Sequence, residues 1–277
     1  MLRERVSDDI YVFTSELYAQ VTAGAVVSPE GAVIIDTLPF PSETLEILDF
    51  VQKRLNVPVK YVVNTHYHAD HTYGTCFFTG AETVAHSKCR ALLDTVGRRG
   101  LTQAKADTPD LEKIEVILPG IIFTRGQLDL HLGKKTLTLM HSPGHSPDSI
   151  IVLVKEDRIL FAGDTMMPLP HFVDGDIDDL THSLQSIPPM GLENIVQGHG
   201  ELILRGEIDD AIKSNLKYLD TLRKKVSRLA GKGKPREALA QIDIESCGKS
   251  RIPLAGLVVK LHERNVGALY DSLVRSK

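Results

Sequence analysis

Nowhere does the chain carry 18 consecutive apolar residues, so no membrane-spanning helix can be written into it. Met1 to Asp9 is charged and lacks the apolar centre of a signal peptide, which leads us to expect a cytoplasmic protein with no membrane partner. An excess of one charge is missing too: 32 Lys and Arg stand against 36 Asp and Glu, a formal net charge of −4 with the signs interleaved. The field that draws a protein onto nucleic acid or anionic lipid is therefore absent, and no nucleic-acid partner is expected. The one basic cluster, Arg223-Lys224-Lys225 with Arg228, Lys232 and Lys234, reads as the solvated face of a helix. Cysteine is scarce. Cys76, Cys89 and Cys247 lie far apart and are odd in number, which argues against a disulfide framework and for buried thiols in a reducing compartment. Short repeats, low-complexity segments and obvious linkers are absent as well. What remains is a chain of 277 residues, 42% hydrophobic, with enough apolar side chains for one large domain or two small ones.

Three apolar runs, Ile10-Tyr11-Val12-Phe13, Gly24-Ala25-Val26-Val27 and Ala32-Val33-Ile34-Ile35-Asp36, separated by turn residues, predict a meander of short strands. Leu45, Ile47, Leu48, Val51 and Leu55 then recur near a 3.6-residue period and predict a helix over Pro41 to Leu55, with Ser42 as its cap. Val59 to Asn64 returns to strand. Thr83-Val84-Ala85 predicts a strand and Ser87 to Val96 a helix capped by Ser87. The weakly patterned connection from Gly97 to Arg125 is expected to lie over a pocket mouth. Five further strands are predicted at Ile121 to Phe123, Leu128 to Leu132, Thr136 to Met140, Ile150 to Val154 and Ile159 to Phe161, so the second half repeats the first in outline. A helix over Asp178 to Ser186 and a strand at Asn194-Ile195-Val196 follow. From Ile208 an apolar stripe (Ile212, Leu216, Leu219, Leu222, Val226, Leu229) predicts a long helix. Two more helices are expected, Arg236 to Gln241 and Leu254 to Val274, the latter with a break near Gly267.

Chemistry concentrates in His66-Tyr67-His68-Ala69-Asp70-His71, just after the Val59 to Val63 strand. Three imidazoles and a carboxylate in six positions are costly to bury unless they are paired or coordinate metal. Partners recur downstream, each in a loop after an apolar run: His145 in Ser142-Pro143-Gly144-His145-Ser146-Pro147, Asp164 in Gly163-Asp164-Thr165, and His199 in Gln197-Gly198-His199-Gly200. His66 and His68, two apart, point to one side of an extended backbone and can share a cation, while Asp70 and His71 arrive as the chain turns away and can hold a second. One zinc needs about three protein ligands plus water, and seven candidates favour two metals. A carboxylate such as Asp164 has two oxygens with which to bridge them. His141, His171 and His182 have no motif partner and read as surface or core histidines, although His171 follows Asp164 closely enough to line a pocket. Tyr67 and Tyr73 read as aromatic packing, and His86 as a structural histidine.

The ordered set HxHxDH, Pro-Gly-His, Gly-Asp-Thr and Gly-His-Gly resembles the metallo-β-lactamase superfamily over about Ile10 to Gly200. The resemblance implies an α/β fold, an αββα sandwich of two βα halves with metals at one edge of the sheets. We accordingly expect a domain over 1–205 and a C-terminal helical extension, 206–277, packed on it. Carried over by position, His66, His68 and His145 hold metal one, Asp70, His71 and His199 metal two, and Asp164 bridges. The resemblance implies two divalent metal ions, Zn2+ in the first place and Fe or Mn as alternatives. It also implies attack of a metal-bridging hydroxide on an ester, thioester or lactone carbonyl, with Asp70 as the catalytic residue that carries a proton to the leaving group.

Within the superfamily, Asp164 counts against a primary β-lactamase and leaves lactam cleavage as a side activity. A flavodiiron protein has glutamate where His68 stands and a flavodoxin domain this chain has no room for. The branches acting on RNA carry basic segments not seen here. The glyoxalase II and lactonase-like branches remain, although no glutathione-binding residues can be matched. A rival on the same fold is an iron oxidoreductase similar to persulfide dioxygenases, with one iron on His66, His145 and Asp164. A third is a binding protein without turnover, against which the complete ligand set argues. Selectivity is assigned to the 97–125 connection, the loop after Asp164 and the C-terminal helices, whose apolar content favours a small or acyl-bearing substrate over a polyanion. The protein is expected as a monomer or a homodimer.

Overall fold

The computed structural model describes residues 1–275, and its strands follow the apolar alternation closely. The first sheet runs in chain order through β1 (Leu2–Ser7), β2 (Ile10–Thr14), β3 (Thr22–Ser28), β4 (Gly31–Ile35), β5 (Val59–Val63), β6 (Glu82–His86) and β7 (Ile121–Phe123). Its first four strands are antiparallel neighbours and its last four parallel ones. The second sheet holds β8 (Gln127–Leu132), β9 (Lys135–His141), β10 (Ile150–Val154), β11 (Ile159–Gly163), β12 (Asn194–Gln197) and β13 (Ile203–Leu204), in the reverse of chain order. Only β11 and β12 are parallel there.

Side-chain alternation assigns each strand two faces. Val33 and Ile35 of β4 enter the core between the sheets, where they join Val63, Leu137, Leu139, Ile150 and Val152. Ala32 and Ile34 point the other way, toward Ile47 of α1 (Pro41–Asp49). In the second sheet Ile151, Leu160 and Ile195 pack on α5 (Ile177–Gln185), α6 (Ile208–Gly231) and α7 (Leu257–Arg275) through Leu180, Leu219 and Val258. The layers are helix, sheet, sheet, helix, and both C-terminal helices belong to the outer layer on the second sheet. Within the first sheet's segment, α2 (Ala69–Thr72) follows β5, and α3 (Ser87–Leu92) and α4 (Arg98–Asp107) follow β6. No helix of the described residues is long and apolar enough to cross a membrane.

Several expectations need correction. β1 forms where no strand was expected, because its charged, exposed residues pair only with β2 at the sheet edge. Phe40, not Ser42, precedes α1; Pro41 fixes the first helical residue, and the Thr44 hydroxyl bonds back to the Phe40 carbonyl. His86, not Ser87, caps α3, its Nδ1 accepting from the Lys88 N–H. The 97–125 connection contributes nothing to the cavity beside the histidines; α4 and a short turn at Pro109–Leu111 pack Leu101, Leu111 and Ile114 against Tyr73 instead. Arg236–Gln241 is a 3-10 turn, and α7 begins at Leu257, after left-handed Leu254 and Ala255, and runs unbroken through Gly267.

Candidate metal centre

The C-terminal ends of β5, β9, β11 and β12 meet at one rim, and each delivers part of the site. Beyond β5 come His66 and His68, then Asp70 and His71 in the single turn of α2. The turn after β9 carries His145; Gly144, at φ +133°, lies so close to Leu180 that a side chain there would meet its backbone at 2.2 Å. Asp164 follows β11, and His199 follows β12. A Cβ on Gly198 would sit 1.9 Å from Asp164 Oδ1, so only glycine lets the last ligand loop pass the carboxylate. The loops are laced together: Ile150 N–H donates to the Thr65 carbonyl at 2.8 Å and Thr22 N–H to the Gly198 carbonyl at 2.9 Å.

The structure brings all seven sequence-selected side chains together as two groups, His66, His68, His145 and Asp164 in one, Asp70, His71 and His199 in the other. In the first, His68 Nδ1 lies 3.1 Å from His66 Nε2 and 2.9 Å from His145 Nε2. In the second, Asp70 Oδ2 lies 3.4 Å from His199 Nε2 and 3.9 Å from His71 Nε2. Asp164 stands between them, with Oδ1 3.2 Å from His71 Nε2 and Oδ2 3.2 Å from His145 Nε2.

The far nitrogen of every ring decides what the near one can be. His71 Nδ1–H donates to Asp36 Oδ2 at 2.8 Å, His145 Nδ1–H to the His171 carbonyl at 2.8 Å, and His199 Nδ1–H to the Ala19 carbonyl at 2.9 Å. His68 Nε2–H meets Asp174 Oδ2 at 3.1 Å. Thr65 gives its hydroxyl hydrogen to Asp36 Oδ2 and so accepts from His66 Nδ1–H at 3.0 Å. With the outer nitrogens protonated, five lone pairs converge on the centre, beside two carboxylates. His71 Nε2 and Asp164 Oδ1 are buried without a hydrogen-bond partner. Such a convergence of lone pairs and anions is repulsive on its own and matches what a pair of divalent cations requires.

Protonation shows the same tension. Burial, joined by the neighbouring imidazoles of His71 and His68, drives His66 well below the ordinary histidine range. Burial, against Asp164, takes His145 down to about 3. On the other side burial is overcome: Asp164 and then Asp70 lift His199 to about 10, and Asp164 with Asp36 raises His71 well above the ordinary range. The two rings that are raised are those with more than one carboxylate beside them, so positive charge is favoured at the place on which the donor set converges.

Beside the cluster opens a cavity of about 260 Å3. Its floor includes His68, Asp70, His145, Asp164 and His199; Tyr18, Met167 and His171 flank it, and Leu254, Leu257, Leu261 and Arg264 close one side. His171 therefore does line the pocket, whereas His182 is exposed on α5 and His141 stacks on His86 at 4.1 Å with its Nε2 bonded to the Pro147 carbonyl. Tyr73 is core, and Tyr67 packs behind His68 with its hydroxyl pushed up to about 12 by burial. Cys89 and Cys247 are buried as expected, Cys76 only partly. The sequence reading missed Asp36, Asp174, Tyr18, Arg264 and Asn265. Only Asp36 carried a cue, a carboxylate at the end of a fully apolar strand.

Residues 18–230 match the family model described as the metallo-beta-lactamase superfamily. Among curated proteins, the Beta-lactamase-like protein 2 homolog of Caenorhabditis elegans is 25% identical over 214 residues, which cover 76% of this chain and 65% of that protein. The acyl-coenzyme A thioesterase MBLAC2 of Bos taurus is 29% identical over 154 residues, 50% of this chain and 54% of that one. The chain thus spans less than two thirds of the length of either relative. A solved structure, the sec-alkylsulfatase Pisa1 from Pseudomonas sp., superposes with a TM-score of 0.76 over 98% of this chain and 50% of its own, at 17% identity. That likeness of fold takes in the C-terminal helices.

Proposed function

We propose, from the premise that the chain belongs to the metallo-beta-lactamase superfamily, that it is a hydrolase which binds two divalent metal ions and cleaves a small acyl substrate at its carbonyl. Thioesters are the foremost class, with esters and lactones beside them; a relative named as an acyl-coenzyme A thioesterase supports that order. The observation that carries the reading is the set of five imidazoles whose outer nitrogens are engaged as donors, leaving five lone pairs and two carboxylates aimed at one space.

On this reading His66, His68 and His145 would hold one ion and Asp70, His71 and His199 the other, and Asp164, whose oxygens lie near His71 and His145, would be available to both. Bound there, such ions acidify water and polarise a carbonyl oxygen. The chain does the rest. Asp36, the His171 and Ala19 carbonyls and Asp174 hold the rings in the one tautomer that presents lone pairs inward. Asp70, at the cavity floor and partly open to it, is placed to hold a proton for the departing thiolate or alkoxide. Met167, Leu254 and Leu257 keep bulk water from the reacting end. The nitrogen-rich donor set favours Zn2+ over Mn and Fe. We place the protein in the cytoplasm, which suits its three free thiols, as a monomer or homodimer. We also propose that the boundary at 205/206 separates roles, with every ligand before it and the cavity's apolar side after it.

Metal content per chain, measured on protein purified without added metal, tests this beside turnover of a thioester, an ester, a lactone and a lactam, with oxygen consumption followed in parallel. Near two zinc per chain with carbonyl cleavage is expected, and the best substrate then names the reaction. About one iron per chain, with oxygen uptake and no hydrolysis, would overturn the reading in favour of an oxidoreductase.

A further inference from the structure

α7 has two working faces. Val258, His262, Asn265 and Leu269 recur at helical spacing and are buried in the helical layer. A second stripe, Leu257, Leu261 and Arg264, follows the same i, i+4, i+7 spacing and faces the metal-centre cavity, with Leu254 from the preceding turn beside it. A stripe that served only packing would have no use for its third residue. Arg264 is exposed, and no carboxylate among the described residues lies within ion-pair distance of its guanidinium. The three acids of the cavity are engaged elsewhere: Asp70 and Asp164 among the candidate ligands, Asp174 on His68. Across the mouth lies Tyr18, whose phenol is pushed up by burial and by Asp70 while the Arg264 charge opposes that rise.

The rim is apolar as well. Ile252, 79% exposed, lies two residues before the cavity residue Leu254, and exposed Val173 sits next to Asp174. Exposed apolar side chains adjoining cavity residues extend the apolar side formed by Leu254, Leu257 and Leu261. A cavity of about 260 Å3 lies at the small end for ligand pockets, so it takes in a reacting end while a longer tail runs out over this rim.

We infer that the site takes an amphiphilic substrate, an apolar chain bearing one negatively charged group, with the chain along Leu254, Leu257 and Leu261 and the charge at Arg264. A carboxylate, sulfate or phosphate offers the guanidinium the same chemistry. The inference rests on the hydrolase reading only for the bond that reacts; recognition of chain and charge stands apart from it.

Four thioesters test it on the metal-loaded protein: acetyl and octanoyl esters of 3-mercaptopropionate, which is anionic, and of N-acetylcysteamine, which is neutral. We expect kcat/KM to rise at least about tenfold from acetyl to octanoyl, and about fivefold from the neutral to the anionic thiol, as an exposed ion pair warrants. Arg264→Ala should erase the charge preference and Arg264→Glu invert it, with chain preference kept; Leu257→Ser should cut the chain preference and keep the charge preference. Calorimetry with the S-octyl thioether analogues of both thiols gives the same comparison without turnover. Absence of hydrolysis with a charge preference in binding that Arg264→Ala erases would sink the function and keep this inference. A charge preference that survives Arg264→Ala, or none in the unmodified protein, overturns it.

Discussion

The rim of strand ends and the stripe of α7 face each other across one cavity, yet they are encoded in different ways. The rim takes its side chains from the loops and the short turn that follow strand ends, with glycine beside His145, Asp164 and His199, and its residues are set by short motifs. The stripe takes its side chains from one regular helix, and only the helical period places them. Loops positioned by a rigid scaffold carry the donor atoms, whereas a helix face offers a graded surface that a few substitutions can retune. On the proposed reading chemistry is built on the first and selectivity on the second, a division that mutations can break.

The largest effect is expected from Asp164→Ala, which removes the side chain between the two ligand groups. It should lose at least one equivalent of metal, read by elemental analysis, and about 10^3-fold in hydrolysis, the several kcal/mol a bound cation supplies. A variant that keeps both would remove Asp164 from the centre. Next comes Asp36→Asn, which withdraws the carboxylate that accepts from both His71 and Thr65. Competition against a chromogenic chelator should show metal affinity down by about 10–100-fold, as for other residues that orient a ligand.

Asn265→Ala probes the seam between rim and stripe. Its side chain, fully buried, donates to the Pro170 carbonyl at 2.7 Å and accepts from His171 Nδ1–H at 2.9 Å, while Tyr218 and His262 continue the network inward. Orphaning those groups should cost about 1–3 kcal/mol, a thermal midpoint lower by roughly 3–10 °C. If rim and stripe are separable, two metals per chain should still bind; loss of metal would show that the stripe supports the rim through the His171 carbonyl.

The smallest effect is a pH dependence confined to the helical side. Lys249 donates to Asn215 Oδ1 at 2.5 Å, and burial pushes its ammonium down to about 8 from the ordinary 10.5. Between those values the unfolded chain holds a proton the folded chain has released, so folded stability rises with pH across that window; below about pH 8 the buried charge is carried in full. Thermal midpoints of Lys249→Met should lack that slope and lie closest to those of the unmodified protein at high pH. Parallel curves would place Lys249 in open solvent.

The same contrast governs what could be read from sequence. His66, His68, Asp70 and His71 announced themselves because they share one short stretch, and His145, Asp164 and His199 because each ends an apolar run. Strands β2 to β12 were legible as apolar runs between turn residues, and α6 from its stripe; β1 and β13 were not. Asp36 and Asp174 were not assigned, since each finds its histidine across a gap of 35 or 106 positions; Asp36 had only its place at the end of an apolar strand to mark it, and Asp174 had nothing local. Ser42 and Ser87 looked like caps because their hydroxyls suit the role, but Pro41 and His86 already occupied the geometry. The 97–125 segment was misplaced because weak patterning reads as a lid, whereas Leu101 and Ile114 had a core to join. Arg264 was invisible for a plainer reason: one arginine on a helix means nothing until the fold shows which face looks at the site.

The hydrogen bond from His199 to the Ala19 carbonyl has a consequence in time. It ties the loop after β2 to the loop after β12, so the centre has its first contributor early in synthesis and its last only when nearly all of both sheets have been made. A chain still on the ribosome can display the His66 to His71 stretch and even pair its first strands, but it has no second group of donors to close. An ion held by His199 would be withheld until the sandwich is whole. Uptake of metal would then mark the moment at which the two halves of the fold have found each other.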